Sequence, residues 1–422
     1  MTQSTVQLDF RGFSPGQQVE LLKEQYNLLH GTGATVRARV EDLQTRPYIS
    51  LLERGFRVTL ERSSAGTTLI LRPDGSTPRL GVRGAHSVAF HPSGKLYSNT
   101  SRNRVCVLDA STRKVTKHIE VGDTPSHLEL SPDGEKLYVA NSGSDDVSIV
   151  DTRSDSVMNT VGAGKNPILP CVAPGGDRVY IPSGPDGTVM AMDGTGNPIA
   201  RIAVGDSPHD IAVSPDSRWA YQPNSGSHTL TVIDTREQRS IGEVSVGLGP
   251  GHVAFTPDSH YAYVANTVSD NVSVLDTTSH EVIETIPAGA GAHLPVLSPD
   301  GRIGCVANFA ADNITVWDTR SHAVLACIRV GIYPHFVAVS PDNAWIVASN
   351  TGEASVCLID ATKLEVLAVL DVGGAPAHIA FDADGKLAFV GCERSDQVVV
   401  IDLEHRRVLA AVEAGVEHSA QP

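Results

Sequence analysis

The chain has 422 residues, an ordinary globular balance of 41% hydrophobic and 19% charged residues, and a formal net charge of −15. This negative charge argues against nucleic acid or an anionic membrane as a partner. No apolar run approaches the roughly 18 residues that a membrane span needs. The N terminus has no basic segment followed by an apolar stretch, so we expect a cytoplasmic protein. The six cysteines form no CxxC pair, and we expect them to be small hydrophobic residues rather than disulfides.

Residues 1–72 predict a small α+β domain with the element order βαβαββ. Alternating or apolar runs predict its strands at 6–12, 35–40, 56–61 and 66–72. Apolar residues at helical spacing predict its helices, the first after an N-cap at Ser14 and the second over 41–55. The Pro- and Gly-containing segment 73–79 is a predicted linker.

The opening segment Leu8-Asp9-Phe10-Arg11-Gly12 and this element order resemble the small sulfur-carrier proteins of the sulfurtransferase type. The resemblance implies a reactive Cys-Pro pair just after the Arg-Gly segment. This chain has Ser14-Pro15 there, and no cysteine precedes Cys106. We therefore expect a docking module for a protein partner or for self-association.

A repeat dominates residues 80–422. An aspartate ends an apolar strand once per repeat, at intervals of 42 residues with one interval of 41, at Asp109, Asp151, Asp193, Asp234, Asp276, Asp318, Asp360 and Asp402. Each repeat has the pattern of four short strands, and a period near 42 with four strands is typical of a propeller blade. We therefore predict an all-β eight-bladed β-propeller with the small α+β domain in front of it.

Two repeats carry the tetrapeptides Tyr138-Val139-Ala140-Asn141 and Tyr263-Val264-Ala265-Asn266, and Ser-Pro-Asp turns recur at Ser214, Ser298 and Ser340. These features resemble the YVTN family of propeller repeats over residues 80–413. The resemblance implies the propeller fold, and because the family is functionally mixed it does not imply one activity.

Histidines recur just before the first strand of seven of the eight repeats, in one of two adjacent positions. The later position holds His86, His127, His252 and His378, and the earlier position holds His209, His293 and His335. The third repeat has Ile168 and Leu169 there, and the fourth has Asp210 in the later position. Because first strands surround the axis of a propeller, we expect these side chains to converge on one funnel.

Neutral imidazole is the commonest transition-metal ligand, so all seven histidines are candidate metal ligands. Seven exceed the coordination of one ion, which leaves a subset of three or four or a small cluster. The predicted function is metal-dependent redox chemistry on a small molecule in the funnel, with copper favoured. The arrangement is similar to copper propellers such as nitrous-oxide reductase and thiocyanate dehydrogenase, and to haem-d nitrite reductases.

Several alternatives remain open at this stage. A haem-type tetrapyrrole is the alternative cofactor, with Arg83, Asp210 and His228 as further candidate cofactor contacts, and the protein could also bind no cofactor. The histidines could instead be structural, bonded to aspartates in neighbouring turns, with candidates at Asp145, Asp146, Asp270, Asp312 and Asp396. The protein would then be a non-enzymatic scaffold. A lactonase- or lyase-like enzyme that uses histidine as acid or base is the third class.

Overall fold

A computed structural model describes the side chains and backbone of residues 84–415 and the backbone of four strands before them. These four strands form one sheet of order β1-β2-β4-β3, in which β1 and β2 are parallel and the other pairs antiparallel. Their bounds are Thr5–Asp9 (β1), Thr35–Val40 (β2), Phe56–Ser63 (β3) and Gly66–Pro73 (β4). Each of these strands overlaps a predicted one, with ends that differ by up to three residues. Both predicted helices lie outside the described residues.

Eight four-stranded antiparallel sheets follow, and each is built from four consecutive strands. Blade 1 contains Val88–Phe90 (β5), Lys95–Asn99 (β6), Arg104–Asp109 (β7) and Lys114–Glu120 (β8). Blade 2 contains Pro125–Leu130 (β9), Lys136–Asn141 (β10), Asp146–Asp151 (β11) and Ser156–Gly162 (β12). Blade 3 contains Cys171–Val172 (β13), Arg178–Ser183 (β14), Thr188–Asp193 (β15) and Pro198–Ala203 (β16). Blade 4 contains Ala212–Val213 (β17), Trp219–Asn224 (β18), Thr229–Asp234 (β19) and Arg239–Ser245 (β20).

The second half of the propeller repeats this order. Blade 5 contains Pro250–Phe255 (β21), Tyr261–Asn266 (β22), Asn271–Asp276 (β23) and Glu281–Pro287 (β24). Blade 6 contains Ala292–Leu297 (β25), Ile303–Asn308 (β26), Asn313–Asp318 (β27) and Val324–Arg329 (β28). Blade 7 contains Pro334–Val339 (β29), Trp345–Asn350 (β30), Ser355–Asp360 (β31) and Glu365–Asp371 (β32). Blade 8 contains Pro376–Phe381 (β33), Leu387–Cys392 (β34), Gln397–Asp402 (β35) and Arg407–Glu413 (β36).

The prediction of eight four-stranded blades is therefore confirmed, and polar side chains in the turns explain why the period is so regular. In blade 2 the Ser131 hydroxyl donates to Asp133 and accepts from the backbone N–H of Lys136 at 2.9 Å, which closes the hairpin between β9 and β10. The aspartate that ends the third strand, Asp151, accepts from the backbone N–H of Ser154 at 2.7 Å and closes the next hairpin.

The hydrophobic core lies between neighbouring blades rather than within one. Tyr97 of blade 1 packs with Leu137 of blade 2, and the same arrangement joins blade 8 to blade 1 through Phe389 and Leu96. The first strand of every blade contacts the first strands of its neighbours, and the contact between β33 and β5 completes the circle. The first strands thus surround the axis. Among the described residues no helix is long and apolar enough to cross a membrane.

Candidate functional site at the propeller axis

Seven histidines gather where the chain enters the first strands. We call them the axial cluster: His86, His127, His209, His252, His293, His335 and His378. His86 and His209 lie in the loops before β5 and β17, and the other five lie within the first strands of their blades. His86, His127 and His252 are buried, and the other four are half-buried.

Irregular strand pairing explains how histidines from two adjacent positions reach one place. Neighbouring residues on a regular strand point to opposite faces. In blades 5 and 7, Gly251 and His335 are each the extra residue of a β-bulge, since Pro250 and His252, or Pro334 and Phe336, face consecutive residues of the next strand. A bulge re-aims side chains. Blade 6 is irregular between Ala292 and Pro295, and there the earlier-position His293 lies with its ring centroid only 4.6 Å from that of the later-position His252.

Ring contacts connect the whole axial cluster. His86 lies 5.0 Å from His127 and 4.9 Å from His378, measured between ring centroids, and 6.1 Å from His335. From His335 the contacts continue to His293 at 4.9 Å, to His252 at 4.6 Å and to His209 at 5.0 Å. The convergence predicted from the sequence therefore places all seven imidazoles in one continuous series.

Three members of the cluster form a set of possible metal ligands. One ring nitrogen from each of His86, His127 and His378 lies within 4.8 Å of the other two. Metal–imidazole bonds of about 2.0–2.1 Å place ligand nitrogens about 3.3 Å apart in a tetrahedral site, so a modest closing of the rings satisfies one ion. Blades 1, 2 and 8 supply the set, and the backbone N–H of His378 donates to the carbonyl of His86 at 3.2 Å.

The imidazoles of His127 and His378 are held neutral, which is the state that binds metal. Burial, and then the charge of His86 and of further histidines in the cluster, hold the pKa of His127 and of His378 well below the ordinary value. The Nδ1 atom of His127 is buried and has no hydrogen-bond partner among the described residues. A buried imidazole nitrogen without a protein partner fits a metal or another ligand at this position.

Carboxylates orient two members of the cluster. His252 Nδ1 lies 3.1 Å from Asp210 Oδ2, and His86 Nδ1 lies 3.4 Å from Glu393 Oε2. Asp210, predicted as a cofactor contact, thus lies in the site and bonds a histidine of the next blade. A carboxylate on one ring nitrogen fixes the tautomer and leaves the other nitrogen to act as ligand or base.

Glu129 provides a third carboxyl group. It lies two residues after His127 in the first strand of blade 2. Its strand pairing with Tyr138 is equivalent to that of Cys171 with Tyr180, Ala212 with Tyr221 and Ala254 with Tyr263. In the other blades this level holds Ala89, Val296, Ala338 and Ala380. Glu129 is the only charged residue at this level, and its side chain keeps exposed surface. The protein around it, with a contribution from Asp210, raises its pKa.

His228 has a structural contact instead of a place in this series of rings. Its Nδ1 accepts from the backbone N–H of Gly249, 21 residues on, at 3.2 Å. Asp145 and Asp270 make the same contact with Asn166 and Gly291, each at 2.8 Å. All three side chains stand at a positive φ between the second and third strands, so His228 replaces the aspartate of the repeat.

The remaining sequence-predicted residues divide as follows. Arg83 lies outside the described residues. Asp312 makes the same contact as Asp145, with the backbone N–H of Tyr333 at 3.1 Å, Asp146 accepts from Asn141 Nδ2 at 2.7 Å, and Asp396 accepts from the hydroxyl of Ser101 at 2.7 Å. The contacts of Asp312 and Asp396 join neighbouring blades, and that of Asp146 lies within blade 2.

Sequence reasoning missed three residues of the site: Glu129, Glu393 and Phe336, whose ring stacks on His378 at 4.3 Å. Glu129 had a signal, because it interrupts the apolar text Leu128-Glu129-Leu130 with a charge. Glu393 had none, since 307 residues separate it from His86.

Fold and site together define a β-propeller with a histidine cluster on its axis. Residues 105–320 and 331–418 match the family model described as "Lactonase, 7-bladed beta-propeller", and the chain belongs to this family. The structure has eight blades where the family description has seven.

Solved structures show the same fold at low identity. Kuenenia stuttgartiensis hydrazine synthase is similar with a TM-score of 0.56 and 24% identity, over 66% of this chain and 95% of that chain. Dihydro-heme d1 dehydrogenase NirN in complex with DHE is similar with a TM-score of 0.62 and 18% identity, over 77% of this chain and 72% of that chain. No functionally curated protein matches the sequence significantly.

Proposed function

We propose that the protein binds one transition-metal ion at the propeller axis through His86, His127 and His378, and that it acts on a small molecule there. The observation that carries this proposal is the approach of three ring nitrogens to within 4.8 Å of one another. The low pKa of His127 and of His378 supports it, because a protonated imidazole cannot bind a metal.

Three imidazole ligands leave at least one coordination position for water or substrate, which is the pattern of a catalytic rather than a structural centre. Imidazole suits copper, zinc, iron and nickel, so the ligand set alone allows redox chemistry or Lewis-acid chemistry. Glu393 holds the ring of His86, and Phe336 packs against the ring of His378. These neighbours fix the orientation of two ligands, which tunes the affinity for the metal.

A haem-type tetrapyrrole is the second candidate ligand. The observation in its favour is the likeness of the fold to Dihydro-heme d1 dehydrogenase NirN, whose structure is a complex with DHE. A histidine of the axial cluster would then be the axial ligand of the iron, as in many haem proteins.

One purification protocol tests both candidates. The protein is purified without a histidine tag from cells supplemented with copper, zinc or iron, and its metal content and absorption spectrum are measured. We expect about one metal ion per chain in at least one preparation, with no Soret band. A Soret band with stoichiometric iron would replace the first candidate by the second. Less than about 0.1 metal ion per chain in every preparation would contradict both.

A further inference from the structure

Asp210 and His252 form a pair at the axis that the three metal ligands do not use. His252 Nδ1 lies 3.1 Å from Asp210 Oδ2, with only 5% of the His252 side chain and 17% of the Asp210 side chain exposed. The other carboxylate oxygen, Oδ1, accepts from the backbone N–H of Ile211 at 2.8 Å. Both carboxylate oxygens of Asp210 therefore have protein partners, which fixes the carboxylate beside the imidazole of His252.

This pairing determines which ring nitrogen of His252 carries the proton. A carboxylate accepts a hydrogen bond, so Nδ1 is the protonated nitrogen and Nε2 carries the lone pair. The Nε2 atom of His252 is buried and has no hydrogen-bond partner among the described residues. The carboxylate orients the ring through Nδ1, and the lone pair on Nε2 has no protein partner. This is the arrangement of an oriented general base.

The surroundings of His252 hold its ring in place. His209 packs on one side at 5.0 Å and His293 on the other at 4.6 Å, both edge to face. The carboxylate paired with His252 is that of Asp210, and Asp210 in turn interacts with Glu129. Through His293 and His335 the series of rings leads to His86 of the metal ligands.

We infer that His252, oriented by Asp210, is the proton acceptor of the axial site and acts on water or on a small molecule with a hydroxyl group. The inference rests on the proposed function, since a metal ion held by His86, His127 and His378 would supply the positive charge that stabilises the remaining anion. In the step, the O–H bond breaks, the proton moves to Nε2 of His252 and the electron pair stays on oxygen. Asp210 stabilises the imidazolium, which later returns its proton to the leaving group or to solvent.

Hydrolysis of p-nitrophenyl acetate by the metal-loaded protein is a direct test. His252 takes the proton of water as the water oxygen bonds to the acyl carbon, and p-nitrophenolate leaves with the electron pair of the broken ester bond. We expect His252→Gln to lower kcat/KM about 100-fold. We expect Asp210→Asn to lower it about 10-fold and to move the pH midpoint of the rate. The matched control, His280→Gln, should keep the wild-type rate.

Two further measurements separate this inference from the proposed metal site. Metal content is determined for every variant, and we expect His252→Gln and Asp210→Asn to keep the wild-type value. Nitrogen-15 NMR of histidine-labelled metal-free protein reads the tautomer of His252, for which we expect Nδ1–H in the wild type and loss of this preference in Asp210→Asn. An Nε2–H tautomer in the wild type, or a wild-type rate no higher than that of His252→Gln, would overturn the inference. A wild-type protein that contains no metal but has the expected Nδ1–H tautomer would instead overturn the proposed function.

Discussion

The histidines at the axis and those in the outer turns share a residue type and differ in what their ring nitrogens contact. In the outer turns, His280 Nδ1 lies 2.7 Å from the hydroxyl of Tyr221, and His322 Nδ1 lies 3.2 Å from the hydroxyl of Tyr263. At the axis, His127 Nδ1 and His252 Nε2 are buried without a partner among the described residues. The outer imidazoles thus complete the protein's own hydrogen bonding, whereas these two axial nitrogens have no protein partner among the described residues.

The comparison also separates two uses of the repeat. Tyr97, Tyr138, Tyr180, Tyr221 and Tyr263 are equivalent buried residues of consecutive blades, and their hydroxyl groups each find a partner one blade further on. Different partners, including Asp155, Gln238 and His280, serve this one structural role. The axial cluster instead breaks the symmetry, because blade 3 has no histidine and blade 4 adds Asp210. This asymmetry favours a site on one side of the axis over a structural contact repeated in every blade.

The largest expected effect is loss of metal from an axial double variant. His127→Gln combined with His378→Gln removes two of the three ligands, so we expect bound metal to fall at least about 10-fold. Metal analysis of the purified variants measures this. The control His280→Gln changes an outer histidine and should retain metal; equal loss from both variants would remove the distinction between the two regions.

The next effect is on stability and belongs to the outer region. His280→Ala leaves the buried hydroxyl of Tyr221 without its partner and removes the packing of the imidazole on Trp219, so we expect a loss of about 1–3 kcal/mol in the free energy of unfolding. Urea denaturation provides the value. His260→Ala, at an exposed histidine, should change it by less than about 0.5 kcal/mol. A similar loss in both variants would show that the hydroxyl contact contributes nothing.

A smaller effect concerns pH. Burial lowers the pKa of His280 and of His322, so the folded protein favours their neutral form. Their contribution to stability is full above the ordinary histidine value near 6.5 and is lost as the pH falls through that value toward the lower folded pKa. We expect Tm to fall between pH 7.5 and pH 5.5, and the fall to be smaller in the His280→Gln, His322→Gln double variant. An unchanged fall would assign the pH dependence to other groups.

The smallest effect is expected at His228. His228→Asp introduces the residue that blades 2 and 5 have at the equivalent position, Asp145 and Asp270. Those aspartates accept the same backbone hydrogen bond at positive φ. We expect the free energy of unfolding to change by less than about 0.5 kcal/mol and the metal content to stay constant. Loss of metal in this variant would return His228 to the site.

The sequence predicted the fold well because the turns of each repeat are closed by hydrogen bonds between residues close in the chain. Ser131 and Asp151 each close a hairpin by accepting a hydrogen bond from a backbone N–H three to five residues further on. The same turn residues recur at the period of about 42 residues, so each repeat forms the same kind of blade. It also predicted that the histidines converge. It did not predict how both positions reach the axis, because a β-bulge such as the one at His335 depends on strand pairing and not on residue type.

Long-range partners were beyond the sequence for a related reason. His86 meets Glu393 and His378 because the first and last blades close the circle, and nothing near His86 in the chain specifies either contact. Glu129 was visible as a charge in an apolar strand, yet its isolation among small side chains follows only from the equivalent level of the other seven blades.

The most direct test of the metal centre is anomalous diffraction from a crystal of the metal-loaded, tag-free protein, with data collected on both sides of the absorption edge of the bound metal. We predict one anomalous peak at the propeller axis within about 2.0–2.3 Å of a ring nitrogen of His86, of His127 and of His378. A peak bonded to outer histidines alone, or no peak from crystals whose protein contains stoichiometric metal, would contradict it.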